Sequence, residues 1–408
     1  MPPSYAQEAE RRPSIAVVAS LTSSLVNFRL ELLRSLVANG LDVYALAPDD
    51  DRNTVARIEA LGVRFIRIPM ARTTTSPIDD LKSLFALLRI FIQIRPDIVL
   101  PYTMKPIIYG CLAARLARVP RRFALVTGLG YVFIEREPRR SKLALRWLSV
   151  RLYRMALHGV EKIFVYNEAD AADLRDHAIA SDGVIVRVPG SGVDTAHFAA
   201  SPPPDGPPVF IMVARLLRDK GVGEYVAAAR MLRRRYPDAH FRLLGPFDSN
   251  PAAISRAEMK AWIAEGVIEY LGETGDVRPY LADCSVFVLP SYREGMSRTV
   301  LEAMATGRAV VTSNGPGCAE PVEDGVSGLV VRVKNAEALA AAMERFIVNP
   351  ELARNMGAAA RERVEALYDV AVTNRTLLAG MRLGPAARTN AMPSAVGAAE
   401  SHCEPLSS

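Results

Sequence analysis

The sequence predicts an α/β protein made of two doubly wound parallel sheets, and three observations predict it. Short β-branched apolar runs alternate with amphipathic segments along most of the chain, as buried parallel strands and their crossover helices do. The alternation stops once, at SPPPDGPPV (201–209), where five prolines and a glycine exclude sheet or helix interior. It then restarts with the same rhythm, and 408 residues suffice for two units with separate cores.

In the first unit, IAVVAS (15–20) reads as a strand and 27–39 as a helix. DVYALA (42–47), VRFIRI (63–68), DIVLPY (97–102), RFALVT (122–127), KIFVYN (162–167) and VIVRVP (184–189) read as further strands, most of them separated by helical stretches. The second unit repeats the scheme with VFIMVA (209–214), HFRLLG (240–245), VIEYLG (267–272), SVFVLP (285–290), RAVVTS (308–313) and GLVVRV (328–333). Helices are expected over 335–347, 350–366 and 368–383. The expected division is 14–200 and 207–367, with the helix 368–383 returning to the first unit. The Ala-, Ser- and Pro-rich tail 384–408 is expected to be disordered. Two similar α/β units imply a cleft, where ligands bind.

Composition narrows the function. Half of the residues are apolar and 23% are charged, an ordinary globular balance. The opening MPPSYAQEAERRPS has no apolar signal core. The most apolar stretch, 84–94, is too short to span a bilayer and carries Arg89. Cys111, Cys284, Cys318 and Cys403 form no C-x-x-C pair, which argues against a disulfide frame or structural zinc. The net charge of +6 is uneven. Residues 1–200 hold 27 basic and 20 acidic side chains, and 99–158 hold 12 basic against only Glu135 and Glu137. That local excess implies an anionic partner.

Two stretches carry candidate chemistry. In VARLLRDKGV (213–222) a strand ends and Arg215 and Lys220 arrive before the next helix. Two cations at a strand's carboxyl edge suit a diphosphate; a solvated loop is the plainer alternative. In PSYREGMSRTVLEAMATGRAVV (290–311) a turn leads into a helix with Ser297 as N-cap candidate. Amides around Met296, Ser297, Arg298 and Thr299 would face phosphate, and Gly295 would allow close backbone approach. Glu302 could accept from a vicinal diol, and Glu294 would meet a sugar on the diphosphate. As plain structure, the two glutamates would be a turn residue and a surface helix residue.

On these residues the chain resembles the retaining glycosyltransferases of the GT4 type. E-G-x-x-x-x-V-L-E-A-M-A after LPSY is similar to that family's E-x7-E signature. ARLLRDKGV, GSGVDTAHF (190–198) and DGVSGLVV (324–331) match three further ordered motifs, and the resemblance spans about residues 14–383. PYTMKPIIYG and RRFALVTGLGYVF look most like enzymes extending undecaprenyl-diphosphate-linked sugars, α-1,3-N-acetylgalactosaminyltransferases among them. The resemblance implies a GT-B fold, two Rossmann-like domains facing a central cleft. It also implies a nucleotide-sugar donor, no cofactor or metal, and retained anomeric configuration. Arg215 and Lys220 would stabilise the departing nucleoside diphosphate, Glu294 would contact the donor hexose and Glu302 its ribose. Amides near Ser297 and Thr299 would hold the distal phosphates. Many relatives carry a His after the strand matching RFALVT. Here no His occurs between Met1 and Leu157, so that role is not carried over.

The remaining candidates belong to the acceptor side. Lys105 is a candidate for the acceptor's diphosphate, and the Gly128-Leu-Gly130 turn for close approach to substrate. Ser23 and Ser24 in SLTSSLVNFR (20–29) could face the ligands or merely cap a helix. Asp49-x-Asp51 reads as a helix start rather than a metal site. Residues 138–158 interleave Arg and Lys with Leu and Trp147, which fits an anionic membrane surface on the cytoplasmic face; a packed helix with a solvated face is the alternative. No nucleic-acid recognition motif is present. The expected acceptor is a lipid-diphosphate-linked glycan. A same-fold nucleotide-sugar epimerase and a non-catalytic nucleotide-sugar or lipid-binding protein stand as alternatives.

Overall fold

A computed structural model of the chain describes residues 12–70, 76–129, 140–248, 250 and 252–384. Gly130–Phe133 of the TGLGYVF stretch, Pro138 and Arg139 of the basic stretch 138–158, and the expected disordered tail beyond residue 384 lie outside them.

The first sheet contains β1 (Ser14–Val18), β2 (Asp42–Ala47), β3 (Arg64–Arg67), β4 (Ile98–Pro101), β5 (Arg121–Val126), β6 (Lys162–Val165) and β7 (Ile185–Arg187). Its helices are α1 (Thr22–Ala38), α2 (Arg52–Glu59), α3 (Pro77–Ile94), α4 (Met104–Leu116), α5 (Arg140–Leu157) and α6 (Glu168–Asp176). The second sheet contains β8 (Val209–Val213), β9 (His240–Leu244), β10 (Glu269–Tyr270), β11 (Val286–Leu289), β12 (Ala309–Ser313) and β13 (Gly328–Val331). With it come α7 (Val222–Arg233), α8 (Arg256–Ala264), α9 (Arg278–Ala282), α10 (Arg298–Ala305), α11 (Ala336–Val348), α12 (Pro350–Leu367) and α13 (Val370–Gly380).

Both sheets are parallel, ordered β3-β2-β1-β4-β5-β6-β7 and β10-β9-β8-β11-β12-β13. The central strands β1, β8, β11 and β12 are buried along their whole length. Helices on both faces require this, and it explains why these strands read as unbroken apolar runs. Strand β10 is only two residues long, shorter than VIEYLG suggests, because it lies at the sheet edge with one neighbour.

Two features tie the units together. Helix α13 leaves the second unit and places Leu377, Leu378 and Met381 in the first unit's core. Its entry is pinned by Val193 N–H to Tyr368 O and Val370 N–H to Val193 O, both 2.9 Å. The proline-rich segment is held by Arg308, which is fully buried. Arg308 donates to Ser201 O at 2.6 Å, Ser201 Oγ at 2.7 Å and Leu281 O at 2.8 Å. Five donors in a rigid fork suit this crossing of strandless chain.

Candidate active site

Each strand order reverses once, between β1 and β4 and between β8 and β11. Open parallel sheets bind ligands outside the strand carboxyl ends at such a reversal. The two motif stretches follow β8 and β11, the strands that flank the second reversal. A cavity of about 810 Å³ opens there between the sheets. Its lining includes Arg215, Lys220, Glu294, Met296, Ser297, Thr299 and Glu302 from the C-terminal side. Thus seven of the residues singled out by sequence meet in one cleft.

Lys220 is brought there by a tight turn. A short 3₁₀ turn, Arg218–Lys220, ends on Gly221 at φ +76°. A Cβ on Gly221 would lie 2.3 Å from Pro290 O, so only glycine lets this loop pack against the end of β11. Lys220 Nζ then meets Glu294 Oε1 at 2.6 Å, each side chain 15% exposed. Ser291 Oγ donates to the same oxygen at 2.7 Å. Arg215 lines the cavity but is half exposed and pairs with Asp248 at 2.9 Å.

Ser297 caps α10, its Oγ accepting from the Val300 amide at 3.4 Å. The amides of the first helical turn have no intrahelical acceptor, which makes this end a site for anions. Glu302, the fifth residue of α10, is buried. Burial pushes its carboxyl above the usual range, and the Arg298 guanidinium opposes that shift. Arg298 Nε donates to Glu302 Oε1 at 2.8 Å. The Arg298 guanidinium also lies 5.2 Å from the ring centre of Phe28, which comes from the opposite unit.

Three expectations change with the geometry. Gly295 does make a close approach, but to protein: a Cβ there would lie 2.0 Å from Thr127 O. Gly128, at φ +131°, lies against the same turn, its notional Cβ 3.6 Å from Gly295 Cα. Both glycines therefore serve the contact between the two units. Lys105 is not brought to the cavity lining; it pairs with Asp80 across α3 and α4 at 2.8 Å. Ser23 and Ser24 lie inside α1, and Ser24 Oγ contacts Leu21 O and Tyr102 Oη within the fold. Asp51, as expected of a helix start, caps α2 through the Thr54 amide at 2.9 Å.

The sequence reading missed the N-terminal wall. Asn27, Phe28, Glu31 and Arg34 of α1 line the cavity. Their spacing places them on one helix face; only Asn27 and Phe28 fall in the stretch 20–29 singled out by sequence, and Glu31 and Arg34 lie beyond it. His197, which lies within GSGVDTAHF but was given no role there, also lines the cavity.

Two facing parallel α/β units with a polar cleft between them define the GT-B architecture. Residues 26–191 match a family model described as a glycosyl transferase 4-like domain, and residues 193–363 match glycosyl transferases group 1. The chain is 28% identical over 355 residues to the N,N'-diacetylbacillosaminyl-diphospho-undecaprenol α-1,3-N-acetylgalactosaminyltransferase of Campylobacter jejuni, covering 84% of this chain and 91% of that one. It is 26% identical to the UDP-Gal:α-D-GlcNAc-diphosphoundecaprenol α-1,3-galactosyltransferase of Escherichia coli, over 69% of this chain and 74% of that one. Among solved structures, the sucrose-phosphate synthase of Thermosynechococcus elongatus superposes with a TM-score of 0.75 at 21% identity, covering 91% and 98% of the two chains. Anabaena HepE in complex with UDP and glucose superposes with 0.70 at 14% identity, covering 90% and 99%. The chain belongs to the GT4-type glycosyltransferases and is an enzyme of that class.

Proposed function

We propose that this chain is a retaining, metal-independent transferase. It moves a hexose or N-acetylhexosamine from a nucleotide sugar, UDP-linked, to an undecaprenyl-diphosphate-linked glycan in surface polysaccharide or glycan assembly. The carrying observation is the convergence of Lys220, Glu294, the α10 N-terminus and buried Glu302 on one cavity. The names of the Campylobacter and Escherichia relatives support the lipid-diphosphate acceptor.

In this reading the α10 amides and the Arg215 and Lys220 cations receive the charge that develops on the departing diphosphate. Glu302 accepts from the ribose diol, and Glu294 holds the donor hexose. The bond from the anomeric carbon to the diphosphate oxygen breaks. The acceptor oxygen bonds to the same face, and its proton passes to the leaving phosphate oxygen. Because fixed protein cations supply the positive charge, no metal is required.

The acceptor is taken from the inner face of the cytoplasmic membrane. No helix among the described residues is long and apolar enough to cross a membrane. Helix α5 instead exposes Leu143, Trp147, Leu148 and Met155 beside Arg146, Arg151 and Arg154. Arg151 stacks on Trp147 at 5.3 Å. Apolar side chains and cations on one helix suit an anionic lipid surface. Trp147→Ala is expected to weaken binding to anionic vesicles in a flotation assay, without loss of folding.

The deciding experiment is transfer of radiolabel from a panel of UDP- and GDP-sugars into organic-extractable lipid. It uses purified protein, bacterial membrane extract and excess EDTA. Label in lipid from one donor supports the transferase, the lipid acceptor and metal independence together. Interconversion of free donor without label supports an epimerase instead. Transfer that stops with EDTA overturns metal independence.

A further inference from the structure

The turn that carries Glu294 is held by the opposite unit as well as its own. Asn167 follows β6 in the first unit and is fully buried. Its Nδ2 donates to Gly295 O at 2.6 Å and lies 3.3 Å from Glu294 O, 128 and 127 residues away in sequence. Its Oδ1 meanwhile accepts from the Asp170 amide at 2.7 Å and caps α6. Arg293, the residue before Glu294, reaches the same helix. It contacts Asp170 and Asp173 at 2.6 Å each, and the Asp170 side chain is fully buried. The Thr127 carbonyl closes on Gly295 from the remaining side. The Glu294 carboxylate, by contrast, points to Lys220 and Ser291 within its own unit.

We infer that Asn167, together with the Arg293–Asp170 pair, is a positioning device for the donor site: it sets the Glu294–Gly295 backbone, and hence the Glu294 carboxylate, only when the two units are closed on each other. The inference rests on the reading that Glu294 contacts the donor sugar. None of the three residues lines the cavity, so each acts through Glu294 rather than on substrate. A misplacement of about 1 Å of a group at the reacting centre costs rate on the order of a hundredfold. The nucleotide contacts reside mainly on Glu302 and the α10 amides. The device therefore makes catalysis, rather than donor binding, depend on closure.

Asn167→Ser is the discriminating variant. Serine still caps α6 but has no amide to donate to Gly295. The expected result is a kcat lower by about tenfold or more, with donor KM within about twofold. Amide hydrogen exchange in the ligand-free protein should speed up over 293–300 and stay unchanged within α6 and β8. Asp170→Asn should act in the same direction. Combined with Arg293→Met, it should lose less than the two single changes added together. Unchanged kcat with unchanged exchange over 293–300 overturns the inference. So does a rise in donor KM at constant kcat, which would make Asn167 a ground-state binding residue. Wild type that transfers no sugar would count against the transferase reading. The exchange measurement would then decide the backbone grip by itself.

Discussion

The two walls of the cleft are built differently. The C-terminal wall draws Arg215, Lys220, Glu294, Ser297 and Glu302 from two short segments that follow neighbouring strands. Its charged groups are largely paired: Lys220 with Glu294 at 2.6 Å and Arg298 with Glu302 at 2.8 Å. The N-terminal wall offers Asn27, Phe28, Glu31 and Arg34 from one helix. Its ion pair, Glu31 with Arg34, is exposed. Buried paired charge holds a geometry that recurs with every turnover, because moving it would strand a charge in low dielectric. An exposed helix face constrains little and can follow a variable ligand. In the proposed reading, the difference places the common chemistry of the donor on one wall and the particular acceptor on the other.

The comparison makes graded predictions. The largest effect belongs to the Lys220–Glu294 pair. Lys220→Ala or Glu294→Ala should lower turnover by about 10²- to 10³-fold. Each should also destabilise the fold by about 3 kcal/mol, since one charge is left mostly buried without its partner. The double variant Lys220→Met/Glu294→Gln should melt closer to wild type than either single change while staying inactive. Chemical denaturation and steady-state rates read both. Arg215→Ala, at a half-exposed site, should lower turnover with little change in stability.

Next comes Glu302. Glu302→Ala should weaken nucleotide-sugar binding by about 10- to 100-fold, the scale of a hydrogen bond to a charged group, with a smaller effect on kcat. Equal turnover and affinity in this variant and wild type would remove Glu302 from the donor site. A pH dependence accompanies it. In the proposed reading Glu302 accepts from the diol as a carboxylate, and burial raises its pKa. Donor affinity is therefore present above that raised pKa and is lost as pH falls through it. Arg298→Met removes the opposing cation, so the loss should begin at higher pH. Calorimetric titration between about pH 5 and 8 checks the sign.

The smallest effect should come from the N-terminal wall. Phe28→Ala removes the ring beneath Arg298 and should change donor affinity by about twofold to fivefold, with a larger change in acceptor KM. A loss of donor affinity as large as that of Glu302→Ala would break the division between the walls. Phe28 would then belong to the donor site.

Much of the fold was legible because its signals are local. Strand β2 occupies the predicted 42–47, β8, β9 and β13 begin at the predicted residue, and β12 begins one residue later, at Ala309. The misses have non-local causes. Helix α1 starts at Thr22 rather than 27 although Leu21, its N-cap, makes no side-chain cap. The missing acceptor comes from Asp49, 27 residues on, which takes the Thr22 amide at 3.1 Å. Asp51, two residues later, caps its own helix, which is why only its role could be read from local order. At the site, spacing was enough to bring the motif residues of the second unit together. It could not reveal that Gly295 serves Thr127 or that Lys105 serves Asp80.

The sequence by itself determined two α/β units, the proline-rich break between them, and a glycosyltransferase-like motif following β8 and β11. Periodicity, turn residues and i-to-i+8 spacing all act within one strand–turn–helix unit, so a linear reading captures them. Only the tertiary structure decided which groups of the first unit face that motif. Thr127, Asn167, Asp170 and Phe28 meet the second unit across more than 100 residues of chain. Such meetings depend on how two separately folded sheets close on each other, a geometry that no local pattern encodes.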